Sequence, residues 1–272
     1  MAYNHSWQSI FRPGQSDDYF LHGHPVPFVA QSHRFNPVNA WWLSELSRLM
    51  YRKDATEGVQ PPDHLSRNDY LGRVNLVERH FFDGPTIQAA LVENIREETG
   101  NVAVLVFRGT SGRLSNWLVN LDMVMRPWSA GGKVHRGFKS SFLKLWDTIA
   151  TALEAINKPL FYTGHSLGGA LATLAASLHH PQAVYTFGSP RIGDAAFAQS
   201  LSDVPVFNIS NPRDIVPGLP PSASWWRFTH AGIRVNNTDI PQSQRRLAQA
   251  PTFLAGHAPV NYTAQLPIAF DN

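Results

Sequence analysis

Apolar positions recur along this chain at two distinct periods. From Pro37 the series Ala40, Leu43, Leu46 and Leu49-Met50 repeats every three or four residues, which predicts an amphipathic helix ending near Lys53. A longer helical pattern runs from Phe138 to Ile156, with Phe142, Leu145-Trp146, Ile149 and Leu153 on one face. The Ala/Leu-rich stretch Ala170 to Leu178 reads as a further helix, and Ala195 to Leu201 as a short one. Val102 to Phe107 is an unbroken apolar run of the kind found in strands buried on both faces. Strands are also expected at Thr86–Val92, Leu160–Tyr162, Ala183–Phe187, Val206–Ile209 and Phe228–Val235, with a turn at Glu97–Gly100. Strands alternating with helices of this length predict an α/β fold, a mainly parallel sheet with helices on both faces. Everything from Val102 onward reads as one sheet, so a single domain over residues 1–272 is expected. Residues 1–36 are rich in His, Pro, Gln and aromatics without a period, and predict an extended arm over the surface.

Composition narrows the function classes. A chain of 272 residues with 43% hydrophobic and 16% charged residues can bury a substantial core. Its formal charge of +3 is too small to argue for a nucleic-acid partner, and the pair Arg245-Arg246 reads as solvated surface. The absence of cysteine excludes disulfides, thiolate metal sites and a cysteine nucleophile. No stretch approaches the roughly 18 apolar residues of a bilayer span, so a soluble protein without an integral membrane segment is expected. Met1 to Gln15 has no apolar h-region. The default expectation is cytoplasmic, with leaderless export or a removed signal as the alternatives.

The chemistry concentrates in Gly164-His165-Ser166-Leu167-Gly168-Gly169, at a strand-to-helix join. A serine flanked by glycine two residues away on each side describes a nucleophile elbow. Such a serine needs a base and an acid that orients the base, both from loops beyond the carboxyl ends of the strands. Asp214 lies just past the strand Val206–Ile209, whereas Asp194 reads as a helix N-cap and Asp239 falls in a polar loop. Twelve histidines compete for the base. The elbow turns His165 into the structure, His179-His180 end the following helix, and His230 lies within an expected strand. His257, in the Gly/Pro-bounded segment Gly256-His257-Ala258-Pro259, is the best placed, though the residues alone leave it in competition with the others. The oxyanion donors are assigned to the backbone of Leu167, which opens the helix, and of Thr110, in the glycine-containing turn after Phe107.

Phe107-Arg108-Gly109-Thr110, Val134-His135-Arg136-Gly137-Phe138, the elbow through Ala172, Phe187-Gly188-Ser189-Pro190-Arg191-Ile192-Gly193-Asp194 and Asn211-Pro212-Arg213-Asp214-Ile215-Val216-Pro217 occur in that order. Their succession over residues 37 to 265 resembles that of the class 3 lipases, α/β-hydrolases that include filamentous-fungal triacylglycerol lipases and feruloyl esterases. The resemblance implies an α/β-hydrolase fold with Ser166 as nucleophile, Asp214 as acid and the loop histidine as base. In the family that histidine is followed by an aromatic, as His257 is by Tyr262. Thr110 would contribute its N–H and its hydroxyl.

The implied activity is serine ester hydrolysis through an acyl-enzyme, acylglycerols being the expected substrates and no metal or cofactor being required. Phospholipase A1, monoacylglycerol lipase, and feruloyl or short-chain carboxylesterase are the enzymatic alternatives. A non-catalytic binding protein is the alternative from another class. Residues 111–126 place Leu114, Trp117-Leu118, Leu121 and Val124-Met125 at helical spacing, which by periodicity alone describes a core-facing helix. The resemblance implies a lid over the serine instead, with Trp117, Leu118 and Leu121 meeting acyl chains at a lipid–water interface. Fungal members usually carry disulfides and a secretion signal, so their extracellular setting does not transfer, and oligomeric state stays open.

Overall fold

The computed structural model describes residues 4, 6–21, 27–53, 57, 65–95, 101–110, 122–222, 227–237 and 251–266. The sheet begins with β1 (Leu76–Asp83), β2 (Gln88–Asn94) and β3 (Ala103–Phe107), which pair antiparallel. It continues with β6 (Leu160–His165), β7 (Ala183–Phe187), β8 (Val206–Ser210) and β9 (Ile233–Asn236), all parallel to β3. The spatial order of this seven-stranded sheet is β1-β2-β3-β6-β7-β8-β9. A small separate ribbon pairs β4 (Met125–Pro127) with β5 (Lys133–His135).

Residues of β3, β6, β7 and β8 are buried throughout, because successive side chains enter cores on opposite faces. On one face Leu105, Phe107, Tyr162, Val184 and Val206 meet α4 (Arg136–Phe142), α5 (Trp146–Leu153), α6 (Leu167–Leu178) and α7 (Ala195–Gln199). On the other, Val104, Val106, Phe161, Tyr185 and Phe207 meet α2 (Pro37–Leu49), α3 (Arg67–Gly72) and α9 (Pro259–Gln265). Two short helices complete the described chain, α1 (Trp7–Phe11) and α8 (Thr252–His257). No described helix is long and apolar enough to cross a membrane.

Several expectations need correction. The 138–156 pattern is two helices, α4 and α5, with a break at residues 143–145 across which the apolar face continues. Period alone does not register a turn that keeps the same side inward. The sheet starts upstream of Val102: β1 buries only Leu76 and Phe82 and carries charged residues between them, a weaker pattern than the buried central strands. Residues 228–232 are not strand; β9 spans only Ile233–Asn236. The N-terminal segment is more than an extended surface arm. It contains α1, and Tyr19, Phe20 and Phe28 are buried in the α2-side core, since aromatic side chains supply apolar area without any period. The expected turn at 97–100, Asp239, Arg245 and Arg246 lie outside the described residues.

On the α2 side, several buried charges are grouped into compensated clusters. Arg48 pairs with Asp18 and Glu45, and the Phe20 N–H donates to Glu45 Oε2 at 2.6 Å. Arg67, 1% exposed, holds both Glu57 and Glu78, while Arg108 holds Glu57. Removing one partner from such a group strands the remaining charges in a low dielectric. Arg67→Ala is therefore expected to lower unfolding free energy in urea by about 3–5 kcal/mol. A loss below about 1 kcal/mol would mean that water already screens Glu57 and Glu78.

Candidate active site

Ser166 occupies the join between β6 and α6 at φ 58° and ψ −128°, a conformation an L-residue adopts only under constraint. The constraint is mutual crowding of backbone. A Cβ on Gly164 would lie 2.3 Å from the Gly168 carbonyl carbon, and one on Gly168 would lie 2.2 Å from the Phe107 carbonyl oxygen. Serine at a helix N-cap ordinarily bonds the first-turn N–H groups, but Ser166 makes no such cap. Its Oγ is buried and has no hydrogen-bond partner among the described residues. The Leu167 N–H belongs to the first turn of α6 and lacks an intrahelical acceptor by the geometry of helices.

Asp214 follows β8 in a tight turn closed by its N–H to the Asn211 carbonyl. Its Oδ1 accepts from the Val216 N–H at 2.8 Å. Its Oδ2 accepts from His257 Nδ1 at 2.7 Å and from the Tyr262 hydroxyl at 2.6 Å. The carboxylate is fully buried and thus entirely engaged. The bond to Nδ1 directs His257 Nε2 the other way, where it is buried and, like Ser166 Oγ, without a partner among the described residues. Both residues line one narrow cavity of about 20 Å³, with Thr110, Tyr51, Leu254 and Pro13. Pro13 brings the N-terminal segment to the site. His257 itself is the last residue of α8 and not part of a loop, which corrects the expectation drawn from its Gly/Pro flanks.

His165 is turned inward, as the elbow predicts. Its Nε2 donates to the His257 carbonyl at 2.7 Å, so its Nδ1 accepts from the Tyr51 hydroxyl at 2.7 Å. Burial, then the neighbouring His257 charge, holds the His165 ring well below the usual imidazole range. Burial likewise raises the Tyr51 hydroxyl, opposed by Arg108. A Cβ on Gly109 would lie 2.0 Å from that hydroxyl, so the turn carrying Thr110 rests directly on Tyr51.

Other candidates fall elsewhere. Asp194 caps α7, its side chain accepting from the Phe197 N–H at 2.9 Å. His179 bonds the Tyr162 hydroxyl, and His230 donates to the Pro217 carbonyl. Trp117, Leu118 and Leu121 lie outside the described residues. The carboxyl end of the lid candidate is described: Asp122 pairs with Arg136, its carbonyl accepts from His135 Nε2, and Met125-Arg126 belong to β4.

Sequence reasoning missed two groups. Tyr262 was noted only as the aromatic following the histidine, yet its hydroxyl holds Asp214. Gly188, at φ 61°, carries the backbone past the acid, and a Cβ there would lie 2.8 Å from Asp214 Oδ2 and 3.1 Å from His257 Nδ1. Its place in the motif beginning at Phe187 was the available signal. Among the described residues no group of three or more His, Cys, Asp or Glu side chains converges as a metal would require.

A buried serine on a strand–turn–helix elbow, beside a histidine oriented by an acid from the next-but-one strand, defines the class: an α/β-hydrolase with a serine, histidine and aspartate arranged as a triad. The family model for Lipase (class 3) matches residues 104–224. A lipase of Rhizomucor miehei is 38% identical over 162 residues, 53% of this chain and 44% of that protein. The secreted mono- and diacylglycerol lipase 1 of Fusarium solani is 34% identical, over 50% of this chain and 44% of its own length. The chain thus spans about half the length of the curated relatives it matches. The solved structure of the Rhizomucor miehei triacylglyceride lipase superposes with a TM-score of 0.53 at 31% identity, covering 61% of this chain and 68% of that one. The protein belongs to the class 3 lipase family.

Two outcomes follow from this geometry. Tyr262→Phe removes one of three bonds to the Asp214 carboxylate and is expected to lower kcat for ester hydrolysis about tenfold, with KM and thermal midpoint little changed. An unchanged kcat would show that Asp214 is held without the hydroxyl. His165 and His230 are both displaced downward from 6.5 by burial, His230 to about 4. The unfolded chain therefore binds protons that the folded chain does not once pH falls below about 6.5. Stability in urea should decline from that point as pH is lowered, the His230 contribution levelling off below about 4. A flat profile between pH 7 and 4 would contradict the burial of these rings as neutral groups.

Proposed function

We propose that the protein is a serine ester hydrolase acting on acylglycerol esters. The observation that carries this reading is the relation of the two buried, unpartnered atoms. His257 Nε2 and Ser166 Oγ border the same cavity, while Asp214 holds the opposite nitrogen at 2.7 Å. Buried polar atoms left unbonded cost stability, and a site that moves a proton between them is a reason to keep them so.

In the proposed reaction His257 takes the Ser166 proton as Oγ attacks the ester carbonyl. Charge developing on the carbonyl oxygen is met by the N–H groups of Thr110 and Leu167. The imidazolium, oriented by Asp214, then protonates the leaving alcohol. Water attacks the acyl-serine by the same steps in reverse, releasing the carboxylic acid and restoring Oγ–H. Relatives named as triacylglyceride and as mono- and diacylglycerol lipases support glycerol esters as the substrate class. The cavity of about 20 Å³ has room for roughly one water, so seating an ester requires some of its walls to part. The apolar series Trp117, Leu118 and Leu121 is proposed to meet the acyl chain when they do.

Ser166→Ala is expected to lower hydrolysis of p-nitrophenyl esters by roughly four orders of magnitude and to abolish labelling by a fluorophosphonate probe. The same assay with mono-, di- and tri-acylglycerols of graded chain length assigns the substrate. Retention of more than a trace of activity in Ser166→Ala would sink the assignment.

A further inference from the structure

At the opposite end of the sheet lies a second cavity, of about 360 Å³, walled by Phe20, Phe28, Trp42, Leu76 and Val104. It falls within the roughly 300–1,000 Å³ range of small-molecule sites and dwarfs the space beside Ser166. Val104 lies three residues before the end of β3, where the turn carrying Thr110 begins, so about 10 Å of strand at about 3.3 Å per residue separates it from that turn.

We propose that this cavity binds a long-chain carboxylate, its alkyl chain among the aromatic walls and its head group against Arg73. Arg73 lines the cavity and is exposed to solvent. Its guanidinium lies 4.7 Å from the Tyr70 ring centroid, and among the described residues no carboxylate pairs with it. The neighbouring Arg48 and Arg67, by contrast, are each neutralised by two carboxylates. An apolar chamber with one uncompensated cation matches a molecule with an alkyl chain and one anionic end. A neutral alcohol or an intact glyceride lacks the matching charge.

The backbone points to the same place. Among the described residues, the non-glycine residues at positive φ are Ser166, Phe20 (61°) and Asn75 (58°), and the latter two both line this cavity. Asn accommodates this region in a turn, but for Phe20 it is a strained conformation of the kind that persists where the surroundings enforce it. At Phe20 the enforcement is the buried bond from its N–H to Glu45, which sets the ring 5.9 Å from Trp42 as a fixed wall. A carboxylate with an alkyl chain is also what hydrolysis of an acylglycerol releases. That link rests on the proposed function; the binding itself does not.

The test uses the full chain after treatment with a fluorophosphonate, titrated with [1-¹³C]dodecanoate below its micelle concentration and read by the carboxyl resonance and by calorimetry. Saturable one-site binding is expected. Arg73→Ala should weaken it about fivefold, Arg73→Glu further, and Leu76→Trp, which narrows the chamber, should also weaken it. Dodecanol should bind more weakly than dodecanoate and be indifferent to Arg73→Ala. All three variants should hydrolyse p-nitrophenyl acetate at the wild-type rate, which also shows that they fold. Adsorption that never saturates, or binding equal in the wild type, Arg73→Glu and Leu76→Trp, would overturn the proposal. Failure of the probe to label Ser166 would count against the hydrolase reading alone, because the response of dodecanoate to Arg73 and Leu76 is read either way.

Discussion

The backbone of Ser166 is the constraint on which the rest of the molecule depends. Holding an L-residue at φ 58° costs on the order of 1–3 kcal/mol, and nothing local to the turn repays it. The turn is held because β6 and α6 are each fixed by other elements. β6 lies between β3 and β7 in a parallel sheet, and the Ser166 N–H reaches the Phe187 carbonyl at 2.9 Å. α6 is buried along most of its length against the sheet, and Gly168 touches the end of β3. Freed from its own capping bond by this conformation, the serine hydroxyl is left for chemistry.

Around that point the molecule relies on neutral hydrogen bonds more than on charge. His165 links Tyr51 to the His257 carbonyl, so the end of α2, the elbow strand and the end of α8 are joined through one uncharged ring. Asn211 does similar work, its Nδ2 donating to the Gly256 carbonyl at 2.8 Å while its N–H meets the Tyr262 hydroxyl. Asp214 is the carboxylate of this network, and its two oxygens accept three hydrogen bonds. Such a network positions His257 through its backbone and its ring at once, which a single side-chain contact could not do.

The α2 face is built on a different plan. It admits ion pairs into its core, Arg48, Arg67 and Arg108 each meeting a carboxylate, and the N-terminal segment is tied down through them at Asp18 and Phe20. The same segment supplies Pro13 to the cavity beside Ser166 and Phe20 to the second one. One stretch of chain thus shapes both spaces, from opposite ends of the sheet.

The sequence by itself determined the alternating α/β order, the central strands and the elbow that carries the proposed nucleophile, Ser166. These rest on local physics: continuous apolar runs demand burial on both faces, and two glycines around a serine demand a close turn. The acid was legible too, because a residue just past a parallel strand must lie at the sheet's carboxyl end. What only the tertiary structure decided was everything that depends on approach between distant segments. It placed His257 at a helix end against Asp214, set the Tyr262 hydroxyl on the same carboxylate oxygen, and made Gly188 necessary for lack of room. It also drew the periodless N-terminus into the core, since burying aromatic area requires a partner surface and not a pattern. Spacing along a chain encodes which face a residue takes, but not which residue from elsewhere will meet it there.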